Sequence, residues 1–188
     1  NFTWKNDCYS PGAKLKLFDA TVSDLAITSQ TWNFNNGSFI SSDLNTEYAM
    51  PDTGIVNVKY IVRTNYANCA DTIIQNIYLR PTVSIPADGF YKEDFETGKN
   101  GWGKDESDLK NSWQFGKPDR GVINAAASGA AAWYTRYDIL KQTRESSSVV
   151  SPCFDFTNIQ RPMIILNTFK RFDKNRDGAA LQYKAETD

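Results

Sequence analysis

Asp173, Asn175 and Asp177 stand at positions one, three and five of the stretch DKNRDG, which closes on Gly178. A hard cation collects oxygens from alternate residues of one tight turn, so this spacing is that of a Ca²⁺ loop. The rest of the loop pattern is missing. Position twelve is Lys184 rather than a bidentate Glu, and the flanking MIILNTF and AALQYK read as strands rather than helices. A solvated hairpin connection is the competing reading, and structural Ca²⁺ is the one cofactor these residues suggest; none is required. In EDFE, Asp94 and Glu96 alternate and would share one face of a strand. There they would hold a structural cation or face water. Glycoside hydrolysis needs two carboxylates held across a sugar ring, a separation that linear spacing does not encode.

The 188 residues include no histidine. That removes Ser-His-Asp and Cys-His nucleophile systems and every His-ligated zinc arrangement. The expectation is therefore a chain that is not an enzyme. Net charge is −1 with Lys and Arg spread along the sequence, which leaves no footprint for nucleic acid. Apolar content of 40% with 23% charged residues is globular. No run of about 18 apolar residues exists to form a transmembrane segment.

Period-two patterns dominate the elements that must position these groups. Leu15 and Leu17 alternate with Lys14 and Lys16, and Val56, Val58, Tyr60 and Val62 share one face of IVNVKYIVR. TIIQNIYLR follows, and its β-branched content favours a strand. Further strands are expected at FYKEDFE, SWQFG, AAWYT, SVVSPCFDF, MIILNTF and AALQYK, with one helical turn near TRYDILKQTRE. The two prolines and the glycine of RPTVSIPADG place a domain boundary near Ala87, dividing the chain into 1–87 and 88–188.

In WNFNNG, Trp32 and Phe34 point to one face while Asn35, Asn36 and Gly37 tolerate the positive φ of a tight turn. The two aromatics read as core, packed on the Val56, Val58, Tyr60 and Val62 face. WNFNNG, EYAMPDTGIVNVKYIV and NYANCADTIIQNIYL together resemble the PKD (polycystic kidney disease) domain, with Trp32, Phe34, Gly37, Tyr48, Gly54, Val58 and Val62 matching its pattern. Asn33, Asn35 and Asn36 replace the family's Asp, Gly and Asp. The resemblance covers about residues 1–85 and implies an immunoglobulin-like β-sandwich. It also implies a Cys8–Cys69 disulfide, which would close a loop of about 60 residues worth roughly 4 kcal/mol and would fit an oxidising compartment. Cys153 is then left as an inert core thiol.

The second region is similar to a MAM-like, lectin-type jelly roll. DFE followed by Trp102, the Trp113 and Phe115 strand, the Trp133 strand, Ser151 to Phe156, and Asp177 to Tyr183 carry that resemblance. In the family more strands follow, so the jelly roll is expected to be incomplete at Asp188. Ile164, Leu166, Leu181 and Tyr183 would then lack neighbours.

The fold class expected is thus all-β, an immunoglobulin-like sandwich followed by a jelly roll. The function expected is a non-catalytic interaction or adhesion pair of a secreted or cell-surface protein, as in type IX secretion cargo, forming part of a larger chain or assembly. Its partner would be a protein or glycan at the extracellular surface. The alternatives are a carbohydrate-binding module, with Trp102, Tyr134 and Tyr137 as sugar-stacking faces, and an accessory region of a secreted protease or hydrolase.

Overall fold

The chain is seen in a computed structural model, which describes residues 1–188 except 67–68, 105–110, 120, 137–144, 174–176 and 186–188. The described residues are all-β and contain no helix. The first half holds β1 (Phe2–Lys5), β2 (Cys8–Tyr9), β3 (Lys14–Asp19), β4 (Ile27–Phe34), β5 (Phe39–Ser41), β6 (Thr46–Ala49), β7 (Gly54–Thr64) and β8 (Ala70–Ser84). The second half holds β9 (Gly103–Lys104), β10 (Trp113–Gly116), β11 (Ala132–Thr135), β12 (Val149–Val150) and β13 (Cys153–Asp155).

Two sheets face each other in the first half. β1, β3 and β6 form one, and the other runs in the order β13, β8, β7, β4, β5 with β2 also paired to β8. Alternation explains the layering: Leu15 and Leu17 are buried while Lys14 and Lys16 are exposed, and Val56, Val58, Tyr60 and Val62 turn inward from β7. Trp32 and Phe34 lie opposite Tyr60 and Val58 in the β4–β7 ladder and are fully buried. Phe2, Tyr48, Met50, Ile77 and Leu79 complete the core. Asn35 (φ 45°), Asn36 (φ 57°) and Gly37 (φ 99°) form the turn after β4, where Gly37 and Ser38 each donate a backbone N–H to the Phe34 carbonyl at 3.0 Å. The Asn-Asn-Gly sequence suits it because Asn and Gly accept the left-handed region at least cost.

The second half is built from short ladders. β10 pairs with β11 and β9 with β12, both antiparallel. β13 instead runs parallel to the end of β8, with Cys153 to Asp155 facing Thr82 to Ser84. The large sheet of the first half is therefore extended by a strand from the second. Tyr78 of β8 adds to this junction, donating its hydroxyl to the Gly101 carbonyl at 3.1 Å.

Three expected strands are absent. FYKEDFE does not form one because Glu93 and Asp94 capture the backbone N–H groups of Phe95 and Glu96, and Phe95 takes a positive φ of 65°. MIILNTF and AALQYK are described chain without a ladder, and backbone without a hydrogen-bonded neighbour is not a strand whatever its side-chain pattern. SWQFG, AAWYT and parts of SVVSPCFDF do form strands. The helical turn expected near TRYDILKQTRE falls largely on 137–144, outside the described residues.

Candidate functional site

The acidic stretch around Glu93 is a framework of satisfied carboxylates. Glu93 Oε1 accepts from the Phe95 backbone N–H at 2.6 Å and Asn100 Nδ2 at 3.0 Å, and its Oε2 accepts from the Tyr91 hydroxyl at 3.1 Å. That hydroxyl in turn accepts from Trp102 Nε1 at 3.2 Å. Burial pushes the Tyr91 phenol above its ordinary pKa, with the hydrogen bond from Trp102 opposing it. Glu96 turns away to a second loop, where its Oε1 accepts from the Ala130 and Ala131 N–H groups at 2.7 and 2.8 Å. Asp94 and Glu96 thus do not share a strand face. Their oxygens close turns, and among the described residues no cluster of three or more Asp, Glu, Cys or His side chains is placed to hold a metal.

Asp173 and Asp177 do meet, through the Asp173 N–H donating to Asp177 Oδ2 at 3.1 Å and the Asp177 N–H donating to the Asp173 carbonyl at 3.2 Å. Asn175 lies outside the described residues. A carboxylate that accepts a backbone N–H a few residues away is ordinary Asp chemistry rather than evidence of a ligand.

Of the three aromatic residues considered for sugar stacking, Tyr134 is packed inward and Trp102 is half-buried. Tyr134 is 8% exposed, so it is no stacking platform. Trp102 is half-buried, edge-on to Phe95 at 5.6 Å, and its indole N–H is committed to Tyr91. Tyr137 lies outside the described residues. Phe95 also meets Phe115 at 6.0 Å, and Phe115 meets Trp133 at 5.3 Å. Lys99 Nζ sits 5.6 Å from the Trp133 ring, a cation–π contact. A shallow depression of about 250 Å³ lined by Lys16, Leu17, Phe18, Asn45, Thr46 and Glu47 is smaller than the ~300–1,000 Å³ of ordinary ligand sites.

The disulfide joins Cys8 to Cys153, with Cα atoms 5.8 Å apart, and leaves Cys69 free and exposed. The expected Cys8–Cys69 pairing is thereby overturned, as is the inert thiol at Cys153. Geometry gives the reason: Cys8 lies opposite Arg80, whereas Cys69 lies just before β8 begins. Residues 69 and 80 are eleven apart along an extended strand, or roughly 36 Å, far beyond disulfide reach. Three cysteines admit three pairings, and no spacing in the sequence singles out this one. Arg80 seals the junction. Its Nη2 donates to Asp7 Oδ1 at 3.0 Å and to Cys8 Sγ at 3.7 Å.

What the described surface offers to a partner is apolar. Along 161–172 and 177–185, Met163, Ile165 and Tyr183 are 87%, 89% and 92% exposed, and Ile164, Leu166, Phe169, Phe172 and Leu181 are exposed as well. Asp173 and Asp177, hydrogen-bonded to each other, lie between the two arms, and Lys184 comes within 4.0 Å of Asp7. Scattered exposed apolar residues are ordinary, whereas eight of them fall within 161–172 and 177–185. Sequence patterning read MIILNTF and AALQYK as strands; it could not show that they lack a ladder.

No protein-family model, curated protein or solved structure matches the chain.

Proposed function

We propose that the chain is a non-catalytic interaction module of a secreted or cell-surface protein, and that it binds a protein partner through the arms at 161–172 and 177–185. The observation that carries this reading is the exposure of Met163, Ile164, Ile165, Leu166, Leu181 and Tyr183 on chain that joins no ladder among the described residues. Extended, alternating and unpaired backbone is completed by strands added from a partner, whose main chain supplies the hydrogen bonds and whose side chains cover the apolar face. The absence of histidine from the sequence supports a role without turnover. The Cys8–Cys153 bridge supports an oxidising, extracellular location. In this reading the PKD-like first half is a spacer and the MAM-like second half the binding part, as in multidomain adhesins and type IX secretion cargo. The glycan alternative loses Tyr134 as one of its three stacking faces.

Affinity capture from the native secretome tests the proposal, using the wild-type chain and a variant carrying Ile164→Ser, Leu166→Ser, Leu181→Ser and Tyr183→Ser. A partner recovered by the wild type and lost by the variant, with the thermal midpoint unchanged, is the expected result. Equal recovery by both would place the binding surface elsewhere.

A further inference from the structure

Arg80 stands beside the disulfide with hydrogen-bonding capacity to spare. It contacts Cys8 Sγ at 3.7 Å through the same Nη2 that binds Asp7, and its buried Nε has no partner among the described residues. Both cysteines are partly exposed. Charged groups close to the bridge among the described residues include Arg80 on β8, Asp7 beside β2, which Arg80 and Lys184 both approach, and Asp155 on β13. Asp155 accepts from Thr157 and Ser84, Lys184 approaches Asp7 at 4.0 Å, and the charged group in contact with Cys8 Sγ itself is Arg80. A cation beside one sulfur of a disulfide stabilises that sulfur as a thiolate, and the thiol of lower pKa is the better leaving group.

We propose that Cys8–Cys153 is an exchange-competent clamp, opened by external thiols that attack Cys153 Sγ while Cys8 leaves as a thiolate held by Arg80. In the first step a thiolate such as glutathione forms a bond to Cys153 Sγ, and the S–S electron pair departs on Cys8 Sγ. In the second, another glutathione thiolate attacks the mixed disulfide, releasing Cys153 thiolate and glutathione disulfide. Two electrons pass from two glutathione molecules to the protein. Opening leaves β13 joined to β8 by its short ladder and by the Ile85 N–H, which donates to the Asp155 carbonyl at 3.2 Å. The covalent tie between the two halves is thus also where a reductant loosens them.

The test uses the full chain with Cys69→Ser, which removes the unrelated thiol. After brief exposure to reduced glutathione and acid quenching, peptide mapping locates the adduct. Glutathione on Cys153 in at least about threefold excess over Cys8 is expected; an even split or an excess on Cys8 overturns the proposal. Arg80→Gln should slow reduction by at least about threefold and even out the split, while Arg80→Lys should keep the preference for Cys153. Unchanged rate and partition in a folded Arg80→Gln protein would equally overturn it. If Arg80→Gln does not fold, the partition in the Cys69→Ser chain decides alone.

Discussion

The indole of Trp32 stacks on the phenol ring of Tyr60, with centroids 3.9 Å apart and planes 23° from parallel. Phe2 closes the group edge-on to both, at 5.2 Å from Trp32 and 6.1 Å from Tyr60. Trp32 Nε1 donates to the Asp43 carbonyl at 2.9 Å, so the polar end of the indole is satisfied where its body is buried. This cluster ties β1, β4 and β7 across both sheets. Trp32→Ala should therefore cost about 3–5 kcal/mol, the range for removing a large buried aromatic. Urea unfolding followed by far-UV circular dichroism measures it. A loss below about 1 kcal/mol would mean that the indole is not the centre of this core.

The first half was legible because one face of each strand is wet. Leu15, Leu17, Trp32, Phe34 and the four inward residues of β7 declare their burial by alternating with Lys and Asn. The second half was less legible because its turns are made by side chains. Nothing in EDFE distinguishes carboxylates that line a strand from carboxylates that capture N–H groups two residues on, and Phe95 gives no sign of its positive φ. The sulfur pairing depended on the position of Cys153 beside β8, a contact between residues 145 apart in sequence. Local patterns carry no information about such a contact. For Tyr134 the aromatic type was visible but its direction was not.

Gly101 marks the contact between the halves. It has a φ of +82°, and a Cβ there would meet Pro81 Cγ at 2.4 Å and Pro152 Cγ at 3.2 Å. Proline rings cannot swing aside, so Gly101→Ala combines backbone strain with a clash against β8 and the residue before Cys153. The expected loss is about 2 kcal/mol or more. It should appear as a lower midpoint of one shared transition, read by circular dichroism and by tryptophan fluorescence together. A shift confined to one of the two probes would show that the halves unfold independently.

Alkaline pH should weaken the first half through Tyr60. Burial, followed by the Asp19 carboxylate, pushes this phenol up to about 12 from an ordinary 10. The folded state thus favours the protonated phenol, and the stability it contributes is complete below pH 10 and lost as pH rises from 10 toward 12. Burial raises the Tyr78 phenol as well, so part of the alkaline slope should survive in Tyr60→Phe. Urea midpoints measured from pH 9 to 12 should fall less steeply in that variant than in the wild type. Identical slopes would remove Tyr60 as a source of the pH dependence.

The arms at 161–172 and 177–185 are proposed to meet another protein. Photo-crosslinking from within the arms tests it most directly, with benzoylphenylalanine placed at Leu166, at Leu181 and, as a control on the outer sheet face, at Lys59, in protein produced by its native host. Positions 166 and 181 are expected to yield adducts to the same protein partner, and position 59 none. Cross-links only to residues of the same chain, or no adduct at 166 and 181, would show that these apolar residues are not a partner surface, and would contradict the account.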